Sequence, residues 1–426
     1  MKKIIILLLV FAQTRSFCQN AEALINAREV SRIESTLASD EMRGRKAGTP
    51  DIDRAAGFIA GEFKKAGLQP LQGNSFLQEF SMIRPRMTSL KYEAEGAEAD
   101  AKNIIVITSQ PELKIDEKSG YTIQNIRATD NLFREAQSIM RANKNIIAFV
   151  DTAQSKNFPR LMNFKRQMFK SNNNVVFILT ANPPKEFKIK AEHTIEETKF
   201  TNVVGILPGK SKKNEYVIFS GHYDHLGVTS QPQNGDSIYN GANDDAAGTT
   251  AVIMLANYFK ALGPQERTLV FAAFTAEEIG EFGSQYFSRQ FNPQQVVAMF
   301  NIEMIGTESK WGKNSAYITG FDMTNMGEIL QKNLQGSGFN FYPDPYTNEK
   351  LFYRSDNASL ARQGVPAHTI STAKMENEPN YHKLTDEIGT LDMENMAAII
   401  RAIAVSSISI VNGKDTPSRV KPETMN

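Results

Sequence analysis

Three stretches of unbroken apolar residues mark the second half of the chain, and each runs directly into ionisable ones. They are "YVIFSGHYDH", "TLVFAAFTAEE" and "VVAMFNIEMIG". Continuous apolar runs of this length, as opposed to alternating ones, characterise strands buried on both faces. Between them lie stretches with apolar residues at helical spacing. "DDAAGTTAVIMLANYFKALG" predicts a helix ending at Gly263, a second helix begins at about Gly280, and "MENMAAIIRAIAVSSISIV" predicts a final one. "PAHTIS" reads as a further strand, and "NVVGILPG" and "YVIFSGHY" read as adjacent strands. Alternation of this kind predicts the α/β class, with three layers (α/β/α) around a mixed, mainly parallel central sheet.

The first half is patterned differently. "AEALINAREVSRIESTLAS" and "TPDIDRAAGFIAGEFKKAGL" predict two helices, the second with Thr49 as N-cap, Pro50 in its first turn and an end near Gly67. "SDEMRGRKAG" between them is a glycine-punctuated loop. Over residues 75 to 200 short strand candidates ("NIIVIT", "NIIAFV", "NVVFIL") alternate with basic helical stretches, "DNLFREAQSIMRANK" and "FPRLMNFKRQMFK". The basic stretches read as solvated helix faces, with an acidic partner as the alternative.

The extreme N-terminus stands apart. Lys2 and Lys3, then "IIILLLVFA", then the polar "QTRSFCQN" have the build of a signal peptide, cleaved after Cys18. The apolar run is too short to span a bilayer. This predicts export to the periplasm or the exterior without a stable membrane span; lipid anchoring through Cys18 is the alternative.

Composition adds exclusions. The chain has 426 residues, 41% hydrophobic and 22% charged, enough for a sizeable core in one or two domains. A net charge of +1 argues against nucleic acid as a partner. Cys18 is the only cysteine, so a mature chain cleaved there has neither disulfides nor a thiol nucleophile. Nothing in the pattern fixes an oligomeric state.

The five histidines make the strand ends conspicuous. His222, Asp224 and His225 crowd the end of one strand; Asp244 and Asp245 open the next helix; Glu277 and Glu278 follow another strand; Glu303 lies in "NIEMIG". Each has an ordinary explanation: a satisfied histidine, a helix N-cap, a solvated acidic pair. Together they place several carboxylates and a histidine on the edge where open α/β sheets bind ligands. Such a cluster repels itself and loses solvation unless a cation sits within it.

"SGHYDHLG", "NGANDDAAGTTAVIMLA", "FTAEEIGEFGS", "NIEMIG" and "NYHKLTDE", in that order, resemble the secreted di-zinc aminopeptidases, a family with glutamate carboxypeptidase-like and glutaminyl cyclase-like relatives. The resemblance covers about residues 40 to 70 and 203 to 410 and implies a zinc exopeptidase fold. It implies two Zn2+ per chain, with His222 on one ion, His382 on the other, and Asp244 bridging them. Glu278 completes one site and Glu303 the other; nitrogen and carboxylate donors of this kind are those of catalytic zinc. Asp224 is expected to accept the other ring N–H of His222 and fix its tautomer. Glu277 becomes the general base toward the attacking water, and Tyr381 a donor to the developing oxyanion. Arg354 matches a position near the substrate, while His225 matches no ligand position. Glu303 stands where many aminopeptidase relatives have Asp, and Asn357 where His is common.

The domain reading follows: a leader over 1–18, the N-terminal part of a peptidase domain over 19–80, an insertion or smaller α/β subdomain over 81–200, a di-zinc core over 201–412, and a tail over 413–426. The expected function is aminopeptidase action on peptide substrates. Carboxypeptidase or dipeptidase action on the same metals, or a binding module without catalysis, are the alternatives. The charge balance favours the amine end, since carboxylates surround the scissile position and Arg354 is the only basic candidate there.

Overall fold

The structure, a computed structural model, describes residues 21–421. The expected leader, Cys18 and the last residues of the tail lie outside the described residues. The chain forms two compact units, one of residues up to Glu79 and from Phe200 onward, the other Phe80–Lys199.

In the first unit four strands run parallel side by side, in the order Ala367–Ser371, Val296–Ile302, Lys212–His222, Arg267–Phe274. Ser315–Ile318 joins Ala367–Ser371 antiparallel and Asn340–Pro343 lies parallel beyond it. On the other edge Val203–Leu207 pairs antiparallel with Arg267–Phe274. "NVVGILPG" and "YVIFSGHY" are therefore not neighbours, because Arg267–Phe274 lies between them. Both runs are apolar throughout, so neither carries a pattern that specifies its partner.

The sheet is covered on both faces, as its apolar strands require. Val217, Phe219, Leu269, Phe271 and Ala273 face one core, which includes the helices Ala27–Leu37, Pro50–Lys65, Ala247–Leu262 and Met393–Ser406. Ile218, Val270, Ala272 and Phe274 face a second core with Phe287, Met299, Leu360 and Ala361. Phe219 stacks on Phe259, Phe271 and Phe300 at centroid distances of 5.3, 5.6 and 4.9 Å. Among the described residues one helical stretch, Met393–Val411, is long and apolar enough to cross a membrane, and 72% of it is buried.

Connections from Lys212–His222 leave in opposite senses. The Ala247–Leu262 helix returns to Arg267–Phe274 on one side, and the chain then crosses to Val296–Ile302 on the other. This arrangement opens a crevice beyond the carboxyl ends of the central strands. The Ala247–Leu262 helix approaches closely there: a Cβ on Gly248 would overlap the Ile302 carbonyl and the Asp245 carboxylate.

In the second unit the three predicted runs are strands Ile104–Ile107, Ile146–Val150 and Val175–Leu179 of a four-stranded sheet completed by Thr122–Ile126. "DNLFREAQSIMRANK" forms the helix Leu132–Arg141, capped by Asn131. "FPRLMNFKRQMFK" does not form the expected helix. It makes a short 3-10 turn over Phe158–Lys165 and then the strand Met168–Phe169, with Phe158 and Leu161 in the core.

Candidate functional site

The site forms where the parallel strands end. His222 is the last residue of its strand and pairs in register with Phe274, so Glu277 and Glu278, three and four residues past Phe274, arrive at the same level. Val296–Ile302 delivers Glu303 one residue beyond its end. Asp244 lies in the turn before the Ala247–Leu262 helix, with non-helical backbone, rather than in its first turn. His382 comes from the loop after Ala367–Ser371.

These side chains converge. His222 Nε2 lies 3.3 Å from Asp244 Oδ1 and 3.9 Å from Glu277 Oε2. His382 Nε2 lies 3.2 Å from Asp244 Oδ2 and 3.1 Å from Glu278 Oε2. Asp244 thus presents one oxygen to each histidine. Donor atoms of His222, Asp244 and Glu303 lie within 4.8 Å of one another, as do those of His225, Asp244 and Glu278. Spacings of 3.1 to 3.3 Å between donors suit tetrahedral bonds of about 2.0 to 2.2 Å to a shared ion. His222 Nε2 and Asp244 Oδ2 are buried and lack a hydrogen bond of good geometry, which a cation at each of the two positions would remedy. The residues present therefore fit zinc.

The surrounding hydrogen bonds explain how the cluster is held. Asp245 accepts from the amides of His222, Gly248 and Met304 at 3.0 to 3.1 Å, joining three segments. Asp386 accepts from the amides of Asn243 and Asp244 at 2.8 and 3.0 Å. Arg45 is wholly buried and donates to the carbonyls of Leu37, Tyr223, Asn240 and Gly241. It ties the segment carrying His222 to the segment carrying Asp244.

Asp224 differs from expectation. The His222 Nδ1 partner is the main-chain carbonyl of Asp224, at 3.1 Å, while the carboxylate stands 3.8 Å away. The carboxylate oxygens are engaged by the amides of Glu277 and Glu278 at 3.1 and 3.4 Å. Asp224 still orients the His222 ring, through its backbone, and its side chain sets the course of the two glutamates.

Electrostatics separate the carboxylates. Burial pushes Glu277 well above the usual range; Glu303, Asp356 and Glu278 add to this, and His222 opposes it. Burial also raises Glu303, again opposed by His222. At Asp244 burial acts upward, but hydrogen bonds with His222 and His382 outweigh it and hold the group below the ordinary range. Burial pushes Asp224 and Asp386 up to about 6. Hydrogen bonds to Asp244 and Glu278 raise His382 to about 10.

Beside Glu303 opens a pocket lined by Met304, Tyr317, Arg354, Met375 and Tyr381 among others. Tyr381 stacks on His382 with centroids 4.0 Å apart and lines the pocket. Arg354 also lines the pocket but pairs with Glu349 at 3.0 Å, leaving its charge partly answered. Asn357 is buried, donating to the Phe352 and Ala367 carbonyls and accepting from Thr369, which lines the pocket.

The predicted residues His222, Asp244, Glu277, Glu278, Glu303, His382, Tyr381 and Arg354 are all in this region. His225, Arg45, Asp245, Asp356 and Asp386 join them without having been assigned there. Asp356 is buried near the cluster, and burial pushes its carboxyl up to about 8. Asp245 and Asp386 lie within the quoted motifs and Arg45 within the loop "SDEMRGRKAG", each a charged residue with no role assigned. An unexplained charge inside a matched motif was the available signal.

Residues 202–407 match the sequence profile of peptidase family M28. The chain is 23% identical over 391 residues to aminopeptidase YwaD of Bacillus subtilis, covering 87% of this chain and 76% of that one. It is 33% identical over 117 residues to a probable zinc metalloprotease of Pyrenophora tritici-repentis, where the match spans 26% of that protein. Its fold is similar to a solved zinc aminopeptidase from Bacillus subtilis, with a TM-score of 0.55, 18% identity, and 93% and 98% of the two chains covered.

Proposed function

We propose, from the premise that this chain belongs to peptidase family M28 through residues 202–407, that it is a zinc metallopeptidase of the aminopeptidase type, releasing N-terminal residues from peptides. The observation that carries the reading is Asp244, which presents one oxygen to His222 and the other to His382 at 3.3 and 3.2 Å. His222 and Glu303 would hold one ion, His382 and Glu278 a second, and Asp244 both. Zinc, when bound, supplies Lewis acidity toward the scissile carbonyl and acidifies water for attack.

The chain's own residues do the rest. Glu277 carries a carboxyl whose burial raises its affinity for a proton, which suits a base that takes a proton from the attacking water and returns it to the leaving amine. Asp224 fixes the direction of Glu277 through the Glu277 amide. Tyr381, on the pocket wall, is placed to donate to the developing oxyanion. Glu277 and Glu303 supply negative charge for a free α-ammonium. Export, resting on the leader at residues 1–18, places this activity in the periplasm or outside the cell.

Direction of attack is tested with one peptide in free, N-acetylated and C-amidated forms, with and without zinc. Cleavage of the free and amidated forms, with loss on acetylation, is expected. Arg354 on the pocket wall favours the carboxypeptidase reading, and loss on amidation with tolerance of acetylation would establish that direction instead.

A further inference from the structure

The second histidine of "HYDH" lies within 4.8 Å of Asp244 and Glu278 but is not assigned a metal in the scheme above. His225 is buried, and its Nδ1 lies 2.8 Å from Glu278 Oε1. The other oxygen of the same carboxylate, Oε2, faces His382 Nε2 at 3.1 Å. From Asp244 Oδ2 the His225 Nδ1 is 4.0 Å away, outside hydrogen-bond distance. The ring therefore addresses one oxygen of Glu278, while the opposite oxygen is offered toward Asp244 and His382.

Its surroundings lock it in this pose. The His225 amide donates to the Arg45 carbonyl at 3.2 Å, so the residue that joins the two ligand-bearing segments also anchors this one. Gly241, with φ of +56°, lies against the ring: a Cβ there would come within 2.5 and 2.6 Å of His225 Cγ and Cδ2. The absence of a side chain at 241 leaves the space the imidazole fills. His225 Nε2 is buried without a partner, so the ring is held by packing and by the single Nδ1 contact. At 2.8 Å the contact is of hydrogen-bond length, and in the tautomer with the proton on Nδ1 the ring donates to Glu278 Oε1. In that tautomer Nδ1 keeps no lone pair for a metal, and His225 acts on the ion through Glu278.

We propose that His225 is a positioning residue for the second zinc: by donating Nδ1–H to Glu278 Oε1 it fixes the carboxylate so that Oε2 points into the position shared with Asp244 and His382. The proposal rests on the zinc reading above and assigns His225 a role in affinity and coordination geometry, through Glu278. Outer-shell donors of this kind are commonly worth about 10- to 100-fold in metal affinity.

The test compares wild type, His225→Asn and His225→Phe. Zinc affinity is measured by competition with a chelating indicator, and the visible spectrum of the Co2+-loaded protein reports the donor set. His225→Asn keeps an amide N–H near the Nδ1 position; His225→Phe keeps the ring and removes the donor. The expected result is two ions in wild type, one of them weakened about 10- to 100-fold in His225→Phe. Recovery to within a few-fold, with an unchanged cobalt spectrum, is expected in His225→Asn. Wild-type affinity in His225→Phe would overturn the proposal. So would an Asn variant as weak as the Phe variant with an altered cobalt spectrum, because that would make His225 a ligand. Should the Phe variant fail to fold, 15N spectra of the zinc-loaded wild type decide: a protonated His225 Nδ1 is expected, and a metal-bound one overturns the assignment. A wild-type protein that binds no zinc would instead bring down the functional reading on which this rests.

Discussion

Replacing Arg45 by Met asks how much of the site's geometry depends on one buried cation. The guanidinium donates at 2.8 Å to Tyr223 O, at 2.7 Å to Leu37 O, at 2.6 Å to Asn240 O and at 2.8 Å to Gly241 O. Met fills the same channel with apolar atoms and leaves four carbonyls without that donor. Each costs about 1 kcal/mol if water reaches it and up to about 3 if none does. The four therefore represent a loss on the order of 4 to 12 kcal/mol. Relief from burying a guanidinium offsets part of this; that penalty is real here, since burial lowers the Arg45 pKa. A net loss of about 3 to 5 kcal/mol is expected, a large share of a typical folding stability of about 5 to 15 kcal/mol. Arg45→Lys keeps the charge, but three donors on one nitrogen cannot span four carbonyls, so it should recover less than half of the loss. Because Tyr223 follows His222 and Gly241 lies three residues before Asp244, zinc affinity should fall with stability. Urea denaturation at fixed free zinc, paired with zinc competition titration, measures both. A Met variant within about 1 kcal/mol of wild type, or one destabilised with zinc affinity unchanged, would refute the reasoning.

Chelation and Asp244→Ala act on the same carboxylate cluster. Stripping zinc should abolish hydrolysis and lower the midpoint of thermal unfolding, since ligand at 1,000 times its Kd contributes about 4 kcal/mol; Asp244→Ala should bring zinc below one per chain by elemental analysis. Glu34 gives a pH signature apart from the metals. Its carboxyl is buried, accepts from Thr250 Oγ1 at 2.7 Å, and is pushed by burial up to about 8 despite the nearby Arg45. The folded state thus keeps a proton between about pH 4.5 and 8 that the unfolded chain releases, so this group's contribution is fully present below pH 4.5 and lost as pH rises through 8. Glu34→Gln should flatten that slope, equalling wild type near pH 4.5 and exceeding it above pH 8 in thermal melts; parallel profiles would contradict the assignment.

The site was legible in the sequence wherever chemistry and strand pattern coincided. His222, Glu277, Glu278 and Glu303 each follow an apolar run, and a parallel sheet brings the ends of such runs to one edge. His382 follows no such run and was legible only through the family motif. The pairing of Val203–Leu207 with Arg267–Phe274 was not legible, because uniformly apolar strands specify burial and not neighbours. Asp224 was misjudged in detail, since spacing along an extended segment does not reveal that amides from another loop claim its oxygens. Arg45 and Asp245 stood out only as charges without a role, because their partners are main-chain groups that the sequence does not name. In the second unit "FPRLMNFKRQMFK" has helical composition, yet the core accepts Phe158 and Leu161 from a tighter turn, so packing overrode propensity.

In the proposed mechanism adjacent glutamates divide the labour, Glu277 moving the proton and Glu278 holding metal. Zinc content, KM and kcat measured on the same preparations of wild type, Glu277→Gln and Glu278→Gln test it most directly. Two zinc ions, KM within a few-fold of wild type and kcat lower by at least about 10²-fold are expected for Glu277→Gln, and loss of zinc for Glu278→Gln. Equal loss of zinc in both variants, or a Glu277→Gln enzyme that turns over at the wild-type rate, would contradict it.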